Sequence, residues 1–166
     1  MDIEFNAFEV FEIAEKIERN GARFYRKAAG LFKDQQIKNM FSELANWETK
    51  HIEVFANMKK QLFEQSRELR GFKPDKNMLI DAQAMAGLAV FGIRPEPSDE
   101  LTGKETLKNV LKKAIEKEKD SIVYYTGLKN FVPGRAGKHK IDDIIEEEMR
   151  HIRILIQSLE QREKTG

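Results

Sequence analysis

The four prolines stand at 74, 95, 97 and 133. Four long stretches, 3–32, 34–66, 104–131 and 139–163, therefore run without the residue that most reliably breaks a helix. Each carries apolar side chains at three-to-four spacing, such as Phe8, Phe11 and Ala14 in the first and Ile141, Ile144 and Ile145 in the last. That is the pattern of an amphipathic helix, and stretches this long suit a bundle. Asp34 is a candidate N-cap after a short first turn. The run Val132-Pro133-Gly134-Arg135-Ala136-Gly137 breaks the chain a second time. Residues 67–103 carry the other three prolines and read as a long crossover, within which Met78 to Phe91 could form a short helix. The expected fold is all-α: a single domain over 1–166 with one helical hairpin at about 3–66 and a second at about 104–163, forming a four-helix bundle.

Composition removes several functions. There is no cysteine, which excludes a disulfide framework, a thiolate zinc site, an iron–sulfur cluster and a catalytic thiol. Lys and Arg number 29 against 28 Asp and Glu, a net charge of +1. Nothing in that balance favours nucleic acid or an anionic membrane as partner. No apolar run nears the ~20 residues that span a bilayer, and Met-Asp-Ile-Glu-Phe lacks the basic and apolar parts of a signal peptide. A cytoplasmic protein is expected.

The two hairpins repeat at an offset of 100 residues. Ala14 matches Ala114, Glu18 matches Glu118, Tyr25 matches Tyr125, Glu48 matches Glu148, His51 matches His151 and Ile52 matches Ile152. The repeat is weak elsewhere and falls on polar residues that bundles usually keep outside. Positions 3, 4 and 7 away share a helix face. Around Glu18 they hold Phe11, Ala14, Gly21, Ala22 and Tyr25, with Glu15 the one charged exception. Around Glu48 they hold Phe41, Leu44, Ala45, His51, Ile52 and Phe55; around Glu118, Leu111, Ala114, Ile115, Ser121, Ile122 and Tyr125; around Glu148, Ile141, Ile144, Ile145, His151, Ile152 and Leu155. Each glutamate thus lies in a stripe meant for the core, with no Lys or Arg on it. Inward carboxylates lose hydration at several kcal/mol per ion. Either they are protonated or cations sit among them.

Their heights agree. Glu18 and Glu48 lie equidistant from the first turn, and Glu118 and Glu148 from the second, each roughly 20 Å away at ~1.5 Å per residue. His51 and His151 follow Glu48 and Glu148 at i+3. Four carboxylates and two imidazoles are the ligand set of a carboxylate-bridged dimetal centre, one Glu from each of two helices and a Glu-x-x-His from each of two others. A lone Glu-x-x-His carries no weight, and a lone histidine on an apolar stripe is usually a hydrogen-bonded core residue. Here two of three histidines and two of three tyrosines stand at matched distances from these glutamates. Tyr25 and Tyr125 read either as donors to a ligand carboxylate or as core aromatics. His139 reads as a solvated residue at a helix start, and Lys112-Lys113 and Glu146-Glu147 as solvated faces. Trp47 reads as core or interface, with a redox role the lesser alternative. The apolar run Ala84 to Ile93 reads as a lid or a self-association surface.

Ile17-Glu18-Arg19-Asn20-Gly21-Ala22-Arg23-Phe24-Tyr25, with Glu48-Thr49-Lys50-His51, resembles the first-hairpin motifs of the rubrerythrin branch of the ferritin-like superfamily. Glu118 through Tyr124-Tyr125 and Glu148-Met149-Arg150-His151 resemble those of the second. The resemblance covers 5–66 and 104–160. It implies a ferritin-like bundle with a non-haem di-iron centre, a homodimer, and chemistry that either reduces peroxide or dioxygen or oxidises ferrous iron. On that reading Glu48 and Glu148 bridge two iron ions, Glu18 and Glu118 are terminal, and His51 and His151 bind one ion each; manganese or zinc would also suit the set. Rubrerythrins carry a four-cysteine rubredoxin domain, and with no cysteine here an external electron donor such as a rubredoxin is expected. Family members often place a further Glu three residues after the third-helix ligand, where this chain has Ser121.

Overall fold

The computed structural model describes residues 7–66, 101–132 and 134–165. Among them are four long helices: α1 (Ala7–Leu31), α2 (Gln35–Ser66), α3 (Leu107–Leu128) and α4 (Arg135–Thr165), with a 3-10 turn at Lys129–Phe131 closing α3. There are no strands among the described residues. The predicted short helix at 78–91 and the apolar run 84–93 lie outside them.

The helix ends follow from local chemistry. Asp34 caps α2 as expected, its Oδ1 accepting from the backbone N–H of Gln36 and Ile37. At α3 the cap is Thr106, whose hydroxyl accepts from Asn109 N at 3.2 Å, so the helix begins three residues later than the proline spacing suggests. At α4 the difference runs the other way. The break is confined to the residues up to Gly134, which takes φ +85°; Arg135, Ala136 and Gly137 are already helical. The helix therefore starts four residues before the expected 139.

Short turns make each hairpin antiparallel, and the hairpins pack α1 on α3 and α2 on α4. Two apolar clusters divide the interior. One gathers Phe24, Tyr25, Ala28, Phe41, Leu44, Leu111, Ala114 and Leu155 around the first turn. The other gathers Val10, Phe11, Phe55, Met58, Tyr125, Leu128, Ile141 and Ile144 around the second. Tyr124 ties α3 to α1 through its hydroxyl, which donates to Val10 O at 2.7 Å. The described chain leaves α2 beside the second turn and resumes at Leu101 beside the first. A polar layer lies between the two clusters, at the level set by the equal distances from the turns.

A candidate dimetal centre

Seven buried polar residues form that layer: Glu18, Glu48, His51, Glu118, Ser121, Glu148 and His151. All six residues expected as ligands are here, none more than 4% exposed. His51 Nδ1 lies 2.9 Å from Glu148 Oε1 and 3.3 Å from Glu18 Oε2. His151 Nδ1 lies 3.0 Å from Glu148 Oε2, 3.4 Å from Glu48 Oε1 and 3.5 Å from Glu118 Oε1. Both rings turn the same nitrogen inward and stack with centroids 5.9 Å apart. Two groups of four donors result, each within a 4.8 Å span: Glu18, Glu48, His51 and Glu148, and Glu48, Glu118, Glu148 and His151. Glu48 and Glu148 belong to both.

The layer is unsatisfied as it stands. Glu18 Oε2, Glu48 Oε1, His51 Nδ1 and Glu148 Oε1 are buried without a hydrogen-bond partner, although buried polar atoms are normally paired. Burial, then the neighbouring carboxylates, push the Glu48 carboxyl well above its usual range and that of Glu148 up to about 8. Glu118 goes the other way: burial raises it, but hydrogen bonding to His151, Glu148 and Tyr25 outweighs that and holds it low. Burial alone would lower both histidines, yet contacts with Glu148 and Glu18 raise His51 to about 11, and contacts with Glu118 and Glu148 raise His151 to about 9. The protein thus compensates four crowded carboxylates by keeping protons. Divalent cations placed between them would do so better, and the donor atoms left without partners are of the types such ions bind.

Surrounding residues orient these donors. The Tyr25 hydroxyl donates to Glu118 Oε1 and the Tyr125 hydroxyl to Glu18 Oε1, each across from one hairpin to the other. Burial, followed by the adjacent carboxylates, raises both phenols well above their usual value, so they remain donors. Both sequence readings describe these tyrosines, which donate to carboxylates of the layer while packing in the apolar clusters. Ser121 is buried with its hydroxyl donating to Lys117 O at 3.0 Å, bonded to its own helix. Glu15, the charged exception on α1, is buried against Lys59 at 2.9 Å.

Three features of the site differ from the sequence reading or exceed it. Glu147 is not simply a solvated residue: its Oε2 lies 2.6 Å from His51 Nε2, accepting from the outer face of that ring. Its i+7 neighbours are mixed, so the stripe test could not single it out. Trp47 is half-buried with its ring 6.3 Å from that of His151. Gly21 makes room for the Glu48 carboxylate, because a Cβ there would collide with Glu48 Oε2. A glycine inside a 25-residue helix was the available signal, since it costs about 1 kcal/mol relative to Ala and calls for a packing reason. His139 is exposed, within the first turns of α4.

Residues 9–85 match the Rubrerythrin family. The structure is similar over 95% of this chain and 97% of the other to a Thermotoga maritima protein described as a ferritin-like diiron-carboxylate protein, at 27% identity and a TM-score of 0.70. The fold is ferritin-like, and its first part resembles the rubrerythrins. No curated protein matches it in sequence. The family match includes Glu18, Glu48 and His51, and the second half of the polar layer is supplied by α3 and α4. No described helix is long and apolar enough to cross a membrane.

Proposed function

We propose that the chain is a non-haem di-iron oxidoreductase that reduces hydrogen peroxide or dioxygen. The observation that carries this reading is the pair of four-donor groups sharing Glu48 and Glu148. Glu48 and Glu148 would lie between two ions, Glu18 and His51 would complete one position, and Glu118 and His151 the other. Two oxygen-rich positions with one imidazole each suit iron, with manganese or zinc able to occupy them. Two ferrous ions held there would supply two electrons to peroxide, which with two protons gives two molecules of water.

The chain's own contribution is positional. Tyr25 and Tyr125 fix the rotamers of Glu118 and Glu18, and Glu147 fixes the ring of His51. The apolar clusters above and below keep bulk water from the layer. On this reading the electrons come from an external donor, of which a rubredoxin is the type that fits. Assembly as a homodimer belongs to the same reading.

The test is metal analysis joined to reoxidation of the anaerobically reduced protein. Two ions per chain and faster reoxidation by peroxide than by dioxygen support the proposal. Oxygen-driven oxidation with iron accumulating beyond two per chain would replace it with ferrous-iron oxidation and sequestration. A chain that binds no metal would refute it.

A further inference from the structure

The hundred-residue offset that aligns the ligands also exposes where the two halves differ. Glu147 sits one residue before Glu148 and reaches across to His51. Its counterpart, one residue before Glu48, is Trp47, which lies against His151. We propose that the two metal positions are unequal, the His51 position binding first and more tightly because Glu147 holds that ring by its outer nitrogen, while Trp47 occupies the corresponding place beside His151. The inference rests on the di-metal reading given above.

The physical difference is in what each outer residue can accept. A ligating imidazole that donates its other N–H to a carboxylate is fixed in tautomer and ring orientation and becomes a stronger base at the metal-facing nitrogen. Glu147 does this for His51 at 2.6 Å, with a side chain still 29% exposed, beside a ring only 2% exposed. Indole nitrogen is a donor only, so Trp47 cannot take the N–H of His151; its ring is tilted 56° to the imidazole at a centroid separation of 6.3 Å. It restrains His151 by packing alone. Charge points the same way. A carboxylate stands outside His51, whereas Lys50 Nζ lies 4.3 Å from the Trp47 ring centroid, placing a cation outside the other half. Glu147 is therefore a positioning residue for one half of the centre, acting through His51.

The experiment titrates the metal-free chain with cobalt(II), following heat and visible absorption together. The expected isotherm has two steps separated by about tenfold or more. Glu147→Ala should weaken the tighter step 10–100-fold, the scale seen when such outer partners are lost, and leave the weaker step within about threefold. Glu147→Gln, which keeps an acceptor oxygen without the charge, should fall between. In a His51→Ala background Glu147→Ala should have no further effect, and Trp47→Glu should narrow the gap by tightening the weaker step. Equal steps in the wild type would overturn the inference alone, as would equal weakening of both steps by Glu147→Ala or an undiminished effect without His51. Absence of any cobalt binding would overturn the di-metal reading and this inference with it.

Discussion

Replacing Gly21 with Ala separates what the helix gains from what the metal centre loses. Gly21 lies inside α1, where Ala is favoured by about 0.5–1 kcal/mol. By propensity alone, the substitution should raise the melting temperature of the metal-free protein by a few degrees, at roughly 2–4 °C per kcal/mol for a chain of this size. The new Cβ, however, would stand 2.3 Å from Glu48 Oε2 and 3.1 Å from Glu48 Cδ. Ordinary contact begins near 3.4 Å, so the carboxylate must retreat by about 1 Å. Metal–ligand distances tolerate about 0.2 Å, and Glu48 is only 4% exposed with little space to swing into. Because Glu48 belongs to both donor groups, affinity should fall about tenfold or more at both positions. Differential scanning calorimetry of the metal-free variant and calorimetric metal titration read the two effects separately. A Gly21→Ala protein that binds two ions with wild-type affinity would show that the Glu48 carboxylate does not need the space Gly21 leaves.

Metal stoichiometry tests the shared ligands: Glu48→Ala and Glu148→Ala should each lose both ions, whereas Glu18→Ala and Glu118→Ala should weaken mainly one. Loss of a single ion from the Glu48 variant would remove it from the bridging role. For pH, the folded metal-free protein holds extra protons on Glu48, on Glu148 up to about 8, on His151 up to about 9 and on His51 up to about 11. The folded state thus binds more protons than the unfolded one from about pH 4.5 to 11, so stability must fall as pH rises through that window. Urea unfolding at pH 6, 8 and 10 checks the sign, and a rising stability would contradict it. Tyr125→Phe deletes the donor to Glu18 and should cost about 1.5–3 kcal/mol, as for hydrogen bonds to charged groups; an unchanged thermal midpoint would make Tyr125 a space-filling ring.

The buried carboxylates and histidines were legible because their violation of patterning was so local. A carboxylate at the centre of an apolar stripe conflicts with burial, and four such conflicts at matched distances from two turns have few physical resolutions. The helices were legible for the same periodic reason, down to the Asp34 cap. Their far ends were less so: Thr106 and Gly134 set the starts of α3 and α4 through a side-chain cap and a positive φ, which periodicity does not encode. Glu147 stayed hidden because its surroundings in the sequence are those of a solvated face. Only the packing of α4 against α2 brings it to His51. Gly21 stayed hidden for a related reason, since the atom it accommodates belongs to a residue 27 positions away on another helix.

On the proposed function, the buried Glu and His layer holds two metal ions. Anomalous scattering at the iron edge, from crystals of the iron-loaded protein, tests it most directly. Two peaks about 3.5–4 Å apart are expected, the spacing of two-metal sites. Glu48 and Glu148 should lie between them, with one peak beside His51 Nδ1 and the other beside His151 Nδ1. A layer without anomalous density, or iron bound only outside it, would rule out a dimetal centre there.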